Sequence, residues 1–132
     1  MRVMLDTNIL VSMIFFPSSQ TSRFAKELSE NHRIILCDYV IDELQLVTER
    51  KFPKLTAALD HFFQELPYEL IYTPKLIDSN IPDIRDAKDM PILATAIKEN
   101  VDVFVTGDKD FLVLEIEQPE IMTISQFEEQ YC

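Results

Sequence analysis

Glycine is almost missing from this chain: Gly107 is the only one in 132 residues. Phosphate cradles built on Gly-rich loops, of the nucleoside-triphosphate or the dinucleotide kind, are therefore excluded. Cysteine and histidine are nearly as scarce, with Cys37 and Cys132 and with His32 and His61. One cysteine lies in an apolar run and the other at the terminus, so no disulfide framework is expected and a reducing cytoplasm fits best. Neither histidine belongs to a zinc-ligand spacing. Ser18-Ser19 and the other hydroxyls have no nearby base to make a nucleophile. No apolar run is long enough to span a bilayer, and Asp6 interrupts the first apolar stretch too early for a secretory signal, so no membrane association is expected. Repeats, low-complexity tracts and Gly/Ser linkers are absent, which points to a single domain over residues 1–132 with a core of its own.

Positive charge is also in short supply. Twelve Lys and Arg stand against 23 Asp and Glu, a net charge of −11. Such a chain does not grip nucleic acid by its overall charge. A nuclease is not excluded, because a bound cation inverts the sign of a site locally and basic residues need line only one cleft.

What is present is an alternation of strands and helices. Arg2–Leu5 reads as a first strand, followed by a helix from about Asn8 to Phe16 that Pro17 ends. Thr21 or Ser22 is expected to cap a second helix, on which Phe24 and Leu28 share a face. Ile34–Cys37 is a short apolar run of the kind covered on both faces. Asp38 reads as the N-cap of a helix to about Phe52, stopped by Pro53. Leu55, Leu59, Phe62, Phe63 and Leu66 then fall at helical spacing. Leu70–Tyr72 reads as a strand and Thr73–Lys88 as loop with a turn of helix. Met90–Glu99 is a helix with Asn100 just past its end. Val101–Val105 and Ile121–Ile124 are the last strands, and Ser125-x-x-Glu128 resembles a capping box opening a terminal helix. This order implies an α/β fold, a parallel sheet wrapped on both faces whose ligands gather beyond the carboxyl ends of the strands.

Four acids stand out against that frame. Asp6 follows Val3-Met4-Leu5, and Asp108 follows Val103-Phe104-Val105-Thr106-Gly107. The fold brings these two together at strand ends. Val40, Glu43, Leu44 and Val47 fall at i, i+3, i+4, i+7, so Glu43 projects to the packed side while Asp42 joins Gln45 and Glu49 on the solvated face. Asp89 opens the helix that begins at Met90, with Asp86 one turn earlier as second choice. Asp110 is the alternative to Asp108. Simpler roles exist for each: a helix N-cap for Asp6 and Asp89, a salt bridge for Glu43, a turn for Asp108. Yet carboxylates beside buried apolar residues are costly, and four gathered together repel one another unless a hard divalent cation holds them. The lone Gly107 before Asp108 is expected to serve an unusual backbone angle or a close approach to ligand.

Together these pieces resemble the PIN-domain family, in particular the VapC-type toxins of toxin–antitoxin modules. The matching segments are Asp6-Thr7-Asn8-Ile9-Leu10 after the first strand, the Glu43 helix, Asp89-x-x-Ile92-Leu93-Ala94-Thr95-Ala96, and Val105-Thr106-Gly107-Asp108-x-Asp110-Phe111. The resemblance implies a three-layer α/β/α fold with about five parallel strands and a Mg²⁺- or Mn²⁺-dependent ribonuclease. By position, Asp6, Glu43, Asp89 and Asp108 match the family's acidic quartet. Asp6, Asp89 and Asp108 would hold metal and Glu43 would orient or deprotonate the attacking water. Asn8, Thr106, Arg85, Lys88 and Lys109 are the candidates for substrate contact. A cognate antitoxin and a homodimer are the implied protein partners, with the Phe24/Leu28 surface as a possible antitoxin seat. The rival readings are a phosphoacceptor receiver domain, which lacks here a clear acid pair and late lysine, a haloacid-dehalogenase-type phosphatase, which would want Asp in place of Asn8, and a PIN-like fold that only binds.

Overall fold

The computed structural model describes residues 1–75 and 89–132. Five strands form one parallel sheet: β1 (Arg2–Leu5), β2 (Arg33–Cys37), β3 (Tyr68–Ile71), β4 (Val103–Val105) and β5 (Glu120–Met122), in the order β3-β2-β1-β4-β5. Seven helices accompany them among the described residues: α1 (Thr7–Phe15), α2 (Ser19–Asn31), α3 (Asp38–Lys51), α4 (Thr56–Glu65), α5 (Met90–Lys98), α6 (Lys109–Leu112) and α7 (Ile124–Tyr131). This is the expected three-layer α/β/α arrangement. Residues 3–5, 34–37 and 103–105 are buried without alternation, because helices cover both faces of the sheet. None of the described helices is long and apolar enough to cross a membrane.

The strand order decides where a site can form. From β1 the chain moves outward to β2 and β3, then returns to the other side of β1 for β4 and β5. The reversal opens a crevice between the carboxyl ends of β1 and β4. Backbone pairing continues past both strands: the Asp6 N–H donates to the Val105 carbonyl at 3.1 Å and the Thr106 N–H to the Met122 carbonyl at 3.0 Å. Asp6 and Thr106 are thus fixed by the sheet itself rather than by loops.

Several local expectations need correction. Ser18, not Thr21 or Ser22, caps α2, with Thr21 returning the bond as the N3 partner in a capping box. Thr123 and Gln126, not Ser125 and Glu128, form the box that opens α7, because β5 ends at Met122 and leaves Thr123 extended. Asp38 is already the first residue of α3. The α6 turn was not foreseen, being too short for any periodicity. Phe24 and Leu28 are fully buried, with Phe24 edge-on to Phe127 at 5.4 Å, so that pair belongs to the core and offers no seat to a partner helix. Asn100 fits its expected place past α5, with a φ of 52°.

Candidate functional site

Asp6 is 5% exposed, at the junction of β1 and α1. Its Oδ1 accepts the Thr7 N–H at 2.8 Å and its Oδ2 accepts the Thr106 hydroxyl at 2.7 Å. Burial is the main reason its pKa is raised; the two hydrogen bonds pull it down, and the charges of Glu43 and Asp108 push it up again. That interaction is the measure of proximity: the β1 end, the α3 helix and the β4 end bring three acids into one electrostatic neighbourhood. Asp6, Glu43 and Asp108 enter no ion pair among the described residues, so the salt-bridge role for Glu43 finds no partner there.

Asp89, Asp108 and Asp110 each offer a carboxylate oxygen within 4.8 Å of the others. Asp108 Oδ1 also accepts the Asp110 N–H at 2.9 Å, which curls the chain into α6 and turns Asp110 back beside it. Asp110, weighed from the sequence only as a substitute for Asp108, therefore joins it. Asp89 precedes α5 but makes no side-chain cap bond to that helix. The capping role thus fails to account for it. Pro91 sits in the first turn of α5, where its missing N–H costs nothing.

A hard cation suits this donor set. Oxygens on opposite sides of Mg²⁺ lie about 4.2 Å apart, twice the usual ligand distance. The three carboxylate oxygens lie within 4.8 Å of one another, close enough for modest side-chain movement to bring them onto one ion. The hydroxyl of Thr7, the residue after Asp6, is buried without a hydrogen-bond partner among the described residues.

The remaining candidates divide. Asn8 and Lys109 are exposed near the acids. Thr106 is fully buried and its oxygen is committed at both ends, to Asp6 Oδ2 and to the Asp108 N–H at 3.0 Å, so it positions the acids rather than facing substrate. Arg85, Lys88 and Asp86 lie outside the described residues. Gly107 has no positive φ, and a Cβ there would meet nothing within 4 Å. The expected unusual backbone angle is therefore absent, and open space flanks Asp108.

The sequence matches the PIN-domain family over residues 2–110. No curated protein matches it significantly. Among solved structures it is similar to a chain in the crystal structure of VapBC2 from Rickettsia felis bound to a DNA fragment from their promoter, with a TM-score of 0.68 and 25% identity, covering 92% of this chain and 97% of that one. With the match spanning residues 2–110, this chain belongs to the PIN-domain family.

Proposed function

We propose that the protein is a metal-dependent endoribonuclease, the toxin component of a toxin–antitoxin module, working in the cytoplasm. The observation that carries this reading is the group Asp89, Asp108 and Asp110 at the sheet's crevice, with Asp6 and Glu43 close enough to act on one another electrostatically. Asp89, Asp108 and Asp110, with Asp6 directly or through water, would hold Mg²⁺ or Mn²⁺. Such an ion, when bound, lowers the pKa of water and takes up charge on a phosphate. Glu43 orients the attacking water and accepts its proton. Thr106 keeps Asp6 and the Asp108 backbone in register. Asn8 and Lys109 meet the phosphates from the rim, with Arg85 and Lys88 assigned the same task from their place before Asp89 in the sequence. The name of the VapBC2 complex supports a protein partner for this chain, an antitoxin, and a homodimer completes the assembly we assign to it.

The test is cleavage of a labelled RNA pool with Mg²⁺ or Mn²⁺, wild type beside Asp6→Asn and Glu43→Gln. Metal-dependent cutting that disappears in both folded variants is the expected result. Cutting that survives in both variants would place the chemistry elsewhere. Saturable metal binding without cutting would favour a PIN domain that only binds.

A further inference from the structure

The few cations of this chain are unevenly spent. Arg50, Lys51 and Lys54 make up three of its twelve Lys and Arg within five residues. All three are exposed, and none enters an ion pair among the described residues, whereas Arg2, Arg23 and Arg33 do. Cations in the last turn of α3 suit its dipole, which accounts for Arg50 and Lys51 in part. Lys54 lies beyond that helix, in the turn Pro53–Leu55. In between, Phe52 stacks edge-on against Phe16 at 5.7 Å, and Phe16 is 60% exposed at the end of α1. An uncovered aromatic ring beside unpaired cations is the surface that a single nucleic-acid strand uses, with phosphates on the cations and a base on the ring. Exposed Glu49 is the one acid in the 48–56 stretch.

The patch is also connected to the acids. Glu43, Leu46, Val47 and Arg50 fall at i, i+3, i+4, i+7 on one face of α3. Leu46 on that face is 59% exposed. Seven helical residues advance about 10 Å, so Arg50 stands within a few nucleotides' reach of Glu43. We propose that this face of α3, ending at Arg50, Lys51, Lys54 and Phe16, is the track that carries single-stranded RNA away from the acidic site. The inference rests on the ribonuclease reading and adds to it the path of the substrate.

It is tested by fluorescence anisotropy with a labelled 12-nucleotide single-stranded RNA in EDTA, which prevents metal-dependent cutting, over a range of salt. For the triple variant Arg50→Gln, Lys51→Gln, Lys54→Gln the expected result is weaker binding and a salt slope shallower by about 2, at roughly 0.7 per lost phosphate contact. Phe16→Ala is expected to weaken binding roughly 5- to 150-fold with the salt slope unchanged. Thermal melts check that these surface variants stay folded. Wild-type affinity and slope in the triple variant would overturn the track, including the case where an acidic protein is the true occupant. Metal-dependent cleavage by wild type separates the failures: cutting with no effect of the triple variant sinks the track alone, and absence of both cutting and RNA binding sinks both.

Discussion

The Thr106 hydroxyl stands between two acids, donating to Asp6 Oδ2 over 2.7 Å and accepting the Asp108 N–H over 3.0 Å. One fully buried side chain thereby couples the end of β1 to the loop after β4. Thr106→Val keeps the shape and removes both bonds. The expected cost is about 1–3 kcal/mol in urea unfolding at pH 7, since a buried carboxylate loses a donor. Cation binding should weaken in step, and Thr106→Ser should restore both. Unchanged Mn²⁺ affinity in a folded Thr106→Val protein would refute the coupling.

Asp6 opposes the stability of the empty fold. Its folded pKa is raised above 3.8, chiefly by burial, so as pH rises the unfolded chain ionises first. Stability then falls between the unfolded and folded values, and the full penalty applies above the folded one. In EDTA at pH 7, Asp6→Asn is expected to melt above wild type, with the gap closing as pH drops below 3.8. Mn²⁺ should narrow or reverse the gap, because wild type, with Asp6 beside Asp89, Asp108 and Asp110, gains more from the ion than the variant does. Thermal melts in the two buffers decide it.

Asp38 behaves in the opposite sense. Burial works against its charge, but hydrogen bonds from the Thr73 N–H (2.8 Å), the Thr73 hydroxyl (2.7 Å) and the Tyr39 N–H (2.9 Å) prevail and lower its pKa. A depressed folded pKa stabilises above the unfolded value near 3.8, and the benefit is lost as pH falls through the folded one. Asp38→Ala should therefore destabilise at neutral pH and converge on wild type in strong acid. Hydrogen exchange at the Thr73 amide should quicken in the variant; a rate equal to wild type would show that the clasp holds nothing.

Gly107 gives a cleaner separation of folding from function. It needs no positive φ and has open space at its Cβ position, so Gly107→Ala should leave stability within about 0.5 kcal/mol or raise it slightly. If substrate backbone approaches Asp108 from that side, the added methyl should slow RNA cleavage in a protein with unaltered melting. Full activity would show that the substrate keeps its distance.

Much of this arrangement was legible because it follows from periodicity and strand ends. Continuous apolar runs marked β1, β2 and β4, and the acids after β1 and β4 had to meet once the sheet was parallel. The Glu43 face of α3 came from its i, i+3, i+4, i+7 neighbours. Helix starts were harder. Thr123-x-x-Gln126 and Ser125-x-x-Glu128 satisfy the same pattern, and only the end of β5 chooses between them. Asp110 was undervalued because its approach to Asp108 depends on α6, a four-residue turn without a periodic signature. Thr106 was misread because its direction is set by the β4 ladder, while its residue type alone suits substrate contact equally well. The cations at 85 and 88 fall outside the described residues.

The most direct test of the acidic centre is equilibrium Mn²⁺ binding followed by electron paramagnetic resonance at pH 7, wild type beside the double variant Asp89→Asn, Asp108→Asn. The account predicts saturable binding in wild type and a loss beyond the roughly tenfold that removal of even a supporting partner costs a metal site. Equal Mn²⁺ affinity in the folded double variant would contradict it.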